Sequence, residues 1–442
     1  MGYTKEEILE IIEEEDVEFI RLQFTDMFGV MKNVAITVSQ LEKALNNQCK
    51  FDGSLIEGFA RVEESDMYLY PDLDSFTIFP WRPQRGKVAR FICDVRRIDG
   101  TPFAGDPRYV LKKAIQDAKD LGFDAIAEPE CEFFLFESDD EGNPTNITHE
   151  KAGYFDVGPA DTGENARRDI VLNLEEMGFE VIQSYHEIAP GQHAIVFAGD
   201  DALKTADNIV TFRFAVKSIA KRHGLHATFM PKPNYGVNGS GMHMHIELRK
   251  DGKNVFADAN DENGISKIAY QFMAGIIKHI KGTVAITNPL VNSYKRLVPG
   301  FDAPIYIAWS KKNKSSLMCI SDVKGDKTRV EIRCPDSAAN PYLTLATYIE
   351  AGLDGIRNNL ELEPQVEDNI FKMDKEEIRE RGIEVIPDNL YDAITELKKD
   401  DYIKNVLGEH IYKNYTKTKV KEWQHYRTQV TKWEIDQYLG KF

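Results

Sequence analysis

Long apolar runs are absent from this 442-residue chain: mean hydropathy is −0.41, and no stretch approaches the ~20 residues that cross a bilayer. Positive charge is also short, with 55 Lys and Arg against 72 Asp and Glu and a net charge of −17. That balance, with a pI near 5.2, argues against nucleic acid or an anionic membrane as a direct partner. Cysteine is sparse. The five present (Cys49, Cys93, Cys131, Cys319 and Cys334) show no paired metal spacing and leave one unmatched, so a reduced, cytoplasmic setting is the simplest reading. The segment Met1 to Glu7 is charged at once and lacks a signal-peptide core. No internal repeat or low-complexity tract interrupts a chain long enough for two domains and a large core.

The residues that are present read as an α+β protein. An acidic helix from Thr4 to Glu15 precedes a half-buried strand from Val17 to Phe24. The Asp26-Met27-Phe28-Gly29 turn leads to a second strand through Val34 and Ile36, and Gly100 to Gly105 reads as an interdomain connection. Asp106 and Pro107 then open a helix that Gly122 closes. Further amphipathic helices are expected over Arg168 to Met177, Ala202 to Arg222, Ser266 to Ile280 and Pro341 to Ile356. The acidic tract Glu361 to Glu367 reads as a solvated loop.

Chemistry concentrates on strands. Glu130 and Glu132, two residues apart, share one face of a strand from Ala125 to Glu137 flanked by Phe133, Phe134 and Phe136. Unpaired carboxylates there would be costly, and cations would relieve the cost; a solvent-facing acidic strip is the equal alternative from these residues alone. His243 and His245 repeat the spacing after Gly239 and Gly241, and Arg329, Glu331 and Arg333 repeat it again. Three such strands favour a site. Oxygen ligands with one imidazole favour Mg²⁺ or Mn²⁺ over structural zinc.

The segment Tyr185-His186-Glu187-Ile188-Ala189-Pro190-Gly191-Gln192-His193-Ala194 resembles the H-H-E-x-A-P-G-Q-H-E segment of type I glutamine synthetases. Phe51-Asp52-Gly53-Ser54, Asn292 to Gly300 and Asp336 to Leu343 extend the resemblance over nearly the whole chain, on the shorter, alpha-type pattern. It implies an N-terminal β-grasp domain (1–104) and a catalytic domain (105–442) with a curved antiparallel sheet, assembled as a dodecamer of two stacked hexamers. It also implies ATP-dependent joining of ammonia to glutamate. By position, Glu130, His243 and Glu331 match the ligands of the metal on the ATP phosphates, and Glu132 and Glu187 match ligands of the metal facing glutamate. Asn238, Gly239, Arg296 and Arg333 match glutamate-binding positions. His245, Lys314 and Arg329 match nucleotide contacts, and Asp52, Asp302 and Arg329 match catalytic positions. Phe371 stands where adenylylated relatives carry the modified tyrosine.

Several positions depart from the pattern. Ala194 replaces a metal-binding glutamate, and Asp302 replaces the flap glutamate, its carboxylate drawn back by about 1.5 Å. Lys314 and Cys319 stand where two arginines are usual; Leu55, Glu247 and Ile182 replace a serine, a serine and a glutamate. Together they lead to the expectation of weak or lost glutamine synthesis, with a ligand-binding or regulatory role. The alternative is an active ligase, either glutamine synthetase itself or a γ-glutamyl–amine ligase. Arg61 matches a feedback position, and the Arg427-Thr428-Gln429-Val430 tail resembles tails that engage regulators. A nitrogen-regulatory protein, or co-assembly with an intact synthetase, is the partner expectation.

Overall fold

The computed structural model describes residues 3–59, 65–82, 85–148, 150–301, 303–320 and 325–442. Arg61 and Asp302 lie outside the described residues. The N-terminal sheet grows from the expected turn: the Asp26 carboxylate accepts the N–H groups of Phe28 and Val30 at 2.9 and 3.0 Å, and Gly29 takes φ 81°. The turn joins β1 (Val17–Thr25) to β2 (Met31–Thr37). β3 (Cys49–Asp52), β4 (Asp66–Pro71), β5 (Thr77–Ile78) and β6 (Lys87–Arg96) complete a sheet of order β2-β1-β6-β4-β3, with β5 beside β6 and β1 parallel to β6. Helix Lys5–Glu14, closed by the Thr4/Glu7 capping box, lays Ile8 and Ile12 into a core with Ile20, Leu22, Leu69 and Phe91. This is the expected β-grasp. The end of β1 differs from a half-buried strand: Leu22 to Thr25 are all buried, Leu22 and Phe24 in the domain's own core, and just beyond them Asn340 of the second domain bonds the Asp26 and Met27 carbonyls.

The second sheet holds eleven strands among the described residues. In chain order these are β7 (Asp124–Glu137), β8 (Val181–His186), β9 (Gln192–Phe197), β10 (Asp200–Asp201), β11 (Leu225–Thr228) and β12 (Met242–Lys250). They continue with β13 (Lys253–Asn254), β14 (Tyr306–Ser310), β15 (Ser316–Ile320), β16 (Val330–Ile332) and β17 (Glu384–Val385). The path β17-β14-β15-β16-β12-β7-β9-β8 is antiparallel except at β14–β15. Strand alternation divides it into two faces. Ala125, Ala127, Cys131, Phe133, Met242, Met244, Ile246, Val330 and Ile332 enter the main core. Glu128, Glu130, Glu132, His243, His245, Glu247 and Glu331 occupy the other face.

Helices Ala202–Arg222, Lys267–Thr287 and Pro341–Arg357 supply much of that core. The second runs two turns past the expected end at Ile280. Gly282 is no stop signal there; a Cβ on it would sit 2.7 Å from an Asp400 carboxylate oxygen, so the glycine serves packing. Residues 361–367 carry no regular structure, as expected, though the Glu363 carbonyl accepts the Trp309 indole N–H at 2.7 Å. No helix among the described residues is long and apolar enough to cross a membrane.

Candidate active site

Register between neighbouring strands gathers the polar face. Glu130 stands opposite His243, and Glu331 opposite His245. His243 Nδ1 lies 3.1 Å from Glu130 Oε2 and 3.5 Å from Glu331 Oε1, and one ligand atom from each of the three falls within 4.8 Å of the others. Burial opposes ionisation of Glu130, but hydrogen bonds from His243 and Tyr185 outweigh it and hold the acid far below its ordinary range. Burial also opposes ionisation of Glu331, yet Arg333 and His243 keep its pKa low. Burial and Arg333 lower His243. Two ionised carboxylates around a neutral imidazole are a donor set suited to a hard divalent cation.

Glu132 lies deeper. Its Oε2 accepts the Gly241 N–H at 2.8 Å and the Gln192 side-chain amide at 2.9 Å. Burial, then the charge of Glu187, pushes its pKa up to about 8. A cation between these two carboxylates would reverse that shift. Ala194, fully buried, faces Glu132 across the β7–β9 pair and Tyr185 across the β8–β9 pair, and adds no ligand atom.

Arg296 and Arg333 form the next wall. Arg296 donates to the Cys334 and Arg333 carbonyls at 2.9 and 3.2 Å. Arg333 Nη1 donates to Glu331 at 2.7 Å, while its Nε is buried without a hydrogen-bond partner among the described residues. A Cβ at Gly239 would fall 2.1 Å from the Pro231 carbonyl oxygen, and one at Gly241 2.7 Å from Arg296 Nη2, so both glycines permit this close approach. Asn238, half-buried, leads into them. On the other side a cavity of about 270 Å³ is lined by Glu128, Asp200, His245, Glu247, Arg249 and Arg329. Arg329 reaches Glu128 at 2.5 Å and Glu247 at 3.3 Å.

Some expected residues stand apart. Asp52 is exposed in the N-terminal domain, where Ser54 hydrogen bonds lower its pKa. Lys314 is exposed between β14 and β15. Cys319 faces Glu331 across β15–β16, and burial pushes its thiol up to about 11, so it remains neutral.

Sequence reasoning missed Glu128, although Glu128, Glu130 and Glu132 continue one alternation. It also missed Glu150. That carboxylate accepts His186 Nε2 and the Gly191 N–H, each at 2.6 Å, and the Thr162 N–H and hydroxyl at 2.9 and 3.1 Å. His186 Nδ1 donates to the Glu187 carbonyl at 2.6 Å. Arg167 joins Asp161 at 2.7 Å and His193 Nδ1 at 2.8 Å. Glu150, Asp161, His186 and His193 are close enough to bind a metal, but Glu150 is saturated by donors and Arg167 already supplies the positive charge.

The glutamine synthetase catalytic domain matches residues 104–438, and the glutamine synthetase beta-Grasp domain matches residues 16–98. A glutamine synthetase of Clostridium saccharobutylicum is 61% identical over 440 residues, covering 100% of this chain and 99% of the relative. One of Staphylococcus aureus is 54% identical over 441 residues, with the same coverages. Among solved structures, one titled as a GmaS/ADP complex superposes with a TM-score of 0.89 at 32% identity, covering 98% of this chain and 99% of the other. A Plasmodium falciparum glutamine synthetase gives 0.87 at 26% identity, covering 99% of each. The chain belongs to the glutamine synthetase family.

Proposed function

We propose that this chain is an active ATP-dependent ligase that joins ammonia to the side-chain carboxylate of glutamate. The observation that carries the reading is one polar sheet face holding Glu130, His243 and Glu331 beside the buried Arg333 and Arg296. Identity of 61% over the whole length to a protein named glutamine synthetase favours activity over the weak or lost synthesis, with a regulatory role, expected from Ala194 and the other departures.

Glu130, His243 and Glu331 would hold one Mg²⁺ or Mn²⁺, and Glu132 with Glu187 would take part in holding a second. Such cations offset negative charge on ATP and the transferring phosphoryl group. Arg333 and Arg296, the latter behind Gly239, orient the glutamate, with Asn238 at the entrance. His245 and Arg329 receive the nucleotide phosphates, and Lys314 contributes charge from the rim. Asp52, remote within its own chain, would act on the ammonium at a neighbouring subunit's site, with Asp302 as proton acceptor. That division of labour goes with a dodecamer of two stacked hexamers in the cytoplasm, and with a domain boundary at residues 104/105. A γ-glutamyl–amine ligase is the second reading, favoured by Leu55, 85% exposed and three residues from Asp52.

The test is ADP release by the purified oligomer with Mg²⁺, glutamate and a panel of ammonium and organic amines. Release dependent on both glutamate and ammonium is expected. Preference for an organic amine would select the second reading, and silence with every donor would overturn both.

A further inference from the structure

Glu130 divides its two oxygens. Oε2 faces His243 at 3.1 Å, while Oε1 accepts the phenolic O–H of Tyr185 at 2.6 Å. Tyr185, Ala194 and Glu132 stand in one cross-strand row, so the three side chains project on the same face. The Tyr185 ring extends over this row towards Glu130 and is held from outside. Phe155 meets it edge-on at 5.0 Å and 86°, and Tyr154 at 5.9 Å and 78°. The Phe155 N–H also bonds the His186 carbonyl at 3.0 Å.

The consequence is an uneven pair of cation sites. Glu130, braced by Tyr185, is turned towards His243 and Glu331, which form a three-ligand group. Glu132 and Glu187 belong to no such group among the described residues. The methyl group of Ala194 occupies the row between Glu132 and Tyr185, where a longer acidic side chain would meet the phenol ring. Tyr185 and Ala194 thus exchange a ligand for a hydrogen-bond donor.

We propose that Tyr185 and Ala194 make the Glu132/Glu187 position a cation site completed by a bound anionic ligand, while Glu130, His243 and Glu331 hold a cation in the free protein. The missing oxygens come from a phosphate- or carboxylate-bearing ligand, which makes second-cation binding obligatorily coupled to substrate. This rests on the ligase reading for the identity of that ligand, but the count of cations does not depend on turnover.

The experiment is Mn²⁺ titration of the purified full-length protein, followed by electron paramagnetic resonance of free Mn²⁺. It is run with Mn²⁺ alone and with glutamate plus the β,γ-imido analogue of ATP. One Mn²⁺ per subunit is expected alone and two with the ligands. Tyr185→Phe, which keeps the ring, should weaken the first site about 10- to 100-fold. Ala194→Glu/Tyr185→Ala, which removes the ring as well, should bind two Mn²⁺ at saturation without ligand. Two equal sites in the free native protein, no Mn²⁺ bound, or unchanged affinity in Tyr185→Phe would each overturn the proposal. If the double variant does not fold, native stoichiometry and Tyr185→Phe still decide. One Mn²⁺ rising to two without any ADP release in the amine panel would remove the ligase reading alone. Turnover with two ligand-free Mn²⁺ would remove this inference alone.

Discussion

Arg108 and Asp207 meet in a two-pronged contact, Nε to Oδ1 at 3.0 Å and Nη2 to Oδ2 at 2.8 Å, with the arginine 3% exposed. The same guanidinium reaches Asp72 and Asp94 at 2.5 Å each. Asp94 lies in β6 and Asp72 just after β4, whereas Asp207 lies in helix Ala202–Arg222. One cation therefore rivets the β-grasp sheet to the catalytic domain. Removing it would leave the buried Asp207 facing the half-buried Asp94 and Asp72, a loss of up to about 3–5 kcal/mol. Arg108→Ala should lower the thermal midpoint well below that of Arg108→Lys, which retains charge without the fork. Equal midpoints for the native protein and Arg108→Ala would show that Lys112, 2.6 Å from Asp94, suffices.

His279 makes stability depend on pH. Its Nδ1 lies 2.7 Å from Asp400 and its Nε2 3.0 Å from Asp354; Lys278 also reaches Asp354, and the Tyr402 ring stacks on the imidazole. Burial alone would lower the His279 pKa, but the bonds to Asp400 and Asp354 outweigh it and raise it above 6.5. A raised histidine stabilises fully below its unfolded pKa, and that contribution is lost as pH rises through the folded value. The depressed acids Asp354 and Asp400 contribute above their unfolded pKa and lose it as pH falls. The stability deficit of His279→Asn relative to native protein should therefore shrink as pH rises from about 6.5 through the raised folded pKa. Urea midpoints measure it, and a constant deficit would mean the histidine stays neutral.

Gly239 tests the proposed glutamate-binding wall. With a carbonyl oxygen 2.1 Å from any added Cβ, the backbone must move, carrying the Gly239 carbonyl that holds the Gln192 amide at 3.1 Å. Gly239→Ala should cost about 10²-fold in kcat/KM for glutamate, the scale of a 1 Å misplacement. An unchanged value would mean the loop relaxes freely.

Legibility in the sequence followed the range of the underlying rule. Glu130, Glu132, His243, His245 and Glu331 announce themselves because strand alternation is local, and the register between strands then places them on one face. Glu150 gives no such signal: it sits in irregular chain 36 residues before His186, and only the fold brings them to 2.6 Å. Asp52 was named through resemblance, since nothing within one chain seats it at the sheet face. The burial of the end of β1 breaks the local alternation, and the turn after it is bonded by Asn340, more than three hundred residues away.

Glu150 also supplies the last test, because it clamps the turn that carries Glu187 and Gln192. Its Oε1 gathers His186 Nε2 and the Gly191 N–H, so both ends of the turn hang from one atom. Within the turn, the Glu187 N–H bonds the Gln192 carbonyl at 2.8 Å. Its pKa is pulled down to about 2: burial works against ionisation, but the His186 hydrogen bond and the nearby imidazoles prevail. Glu150→Gln keeps the volume but exchanges one acceptor oxygen for an amide N–H, which must then face an existing donor. That mismatch costs about 1–3 kcal/mol and loosens the turn without dismantling the sheet. On the proposed reading, glutamate-dependent ADP release should fall about 10- to 100-fold, the scale for a residue that orients a metal ligand, while the elution volume stays native. Size-exclusion chromatography beside the ADP assay separates the two effects. Native release from Glu150→Gln would show that Gln192, bonded to Glu132, holds the turn by itself.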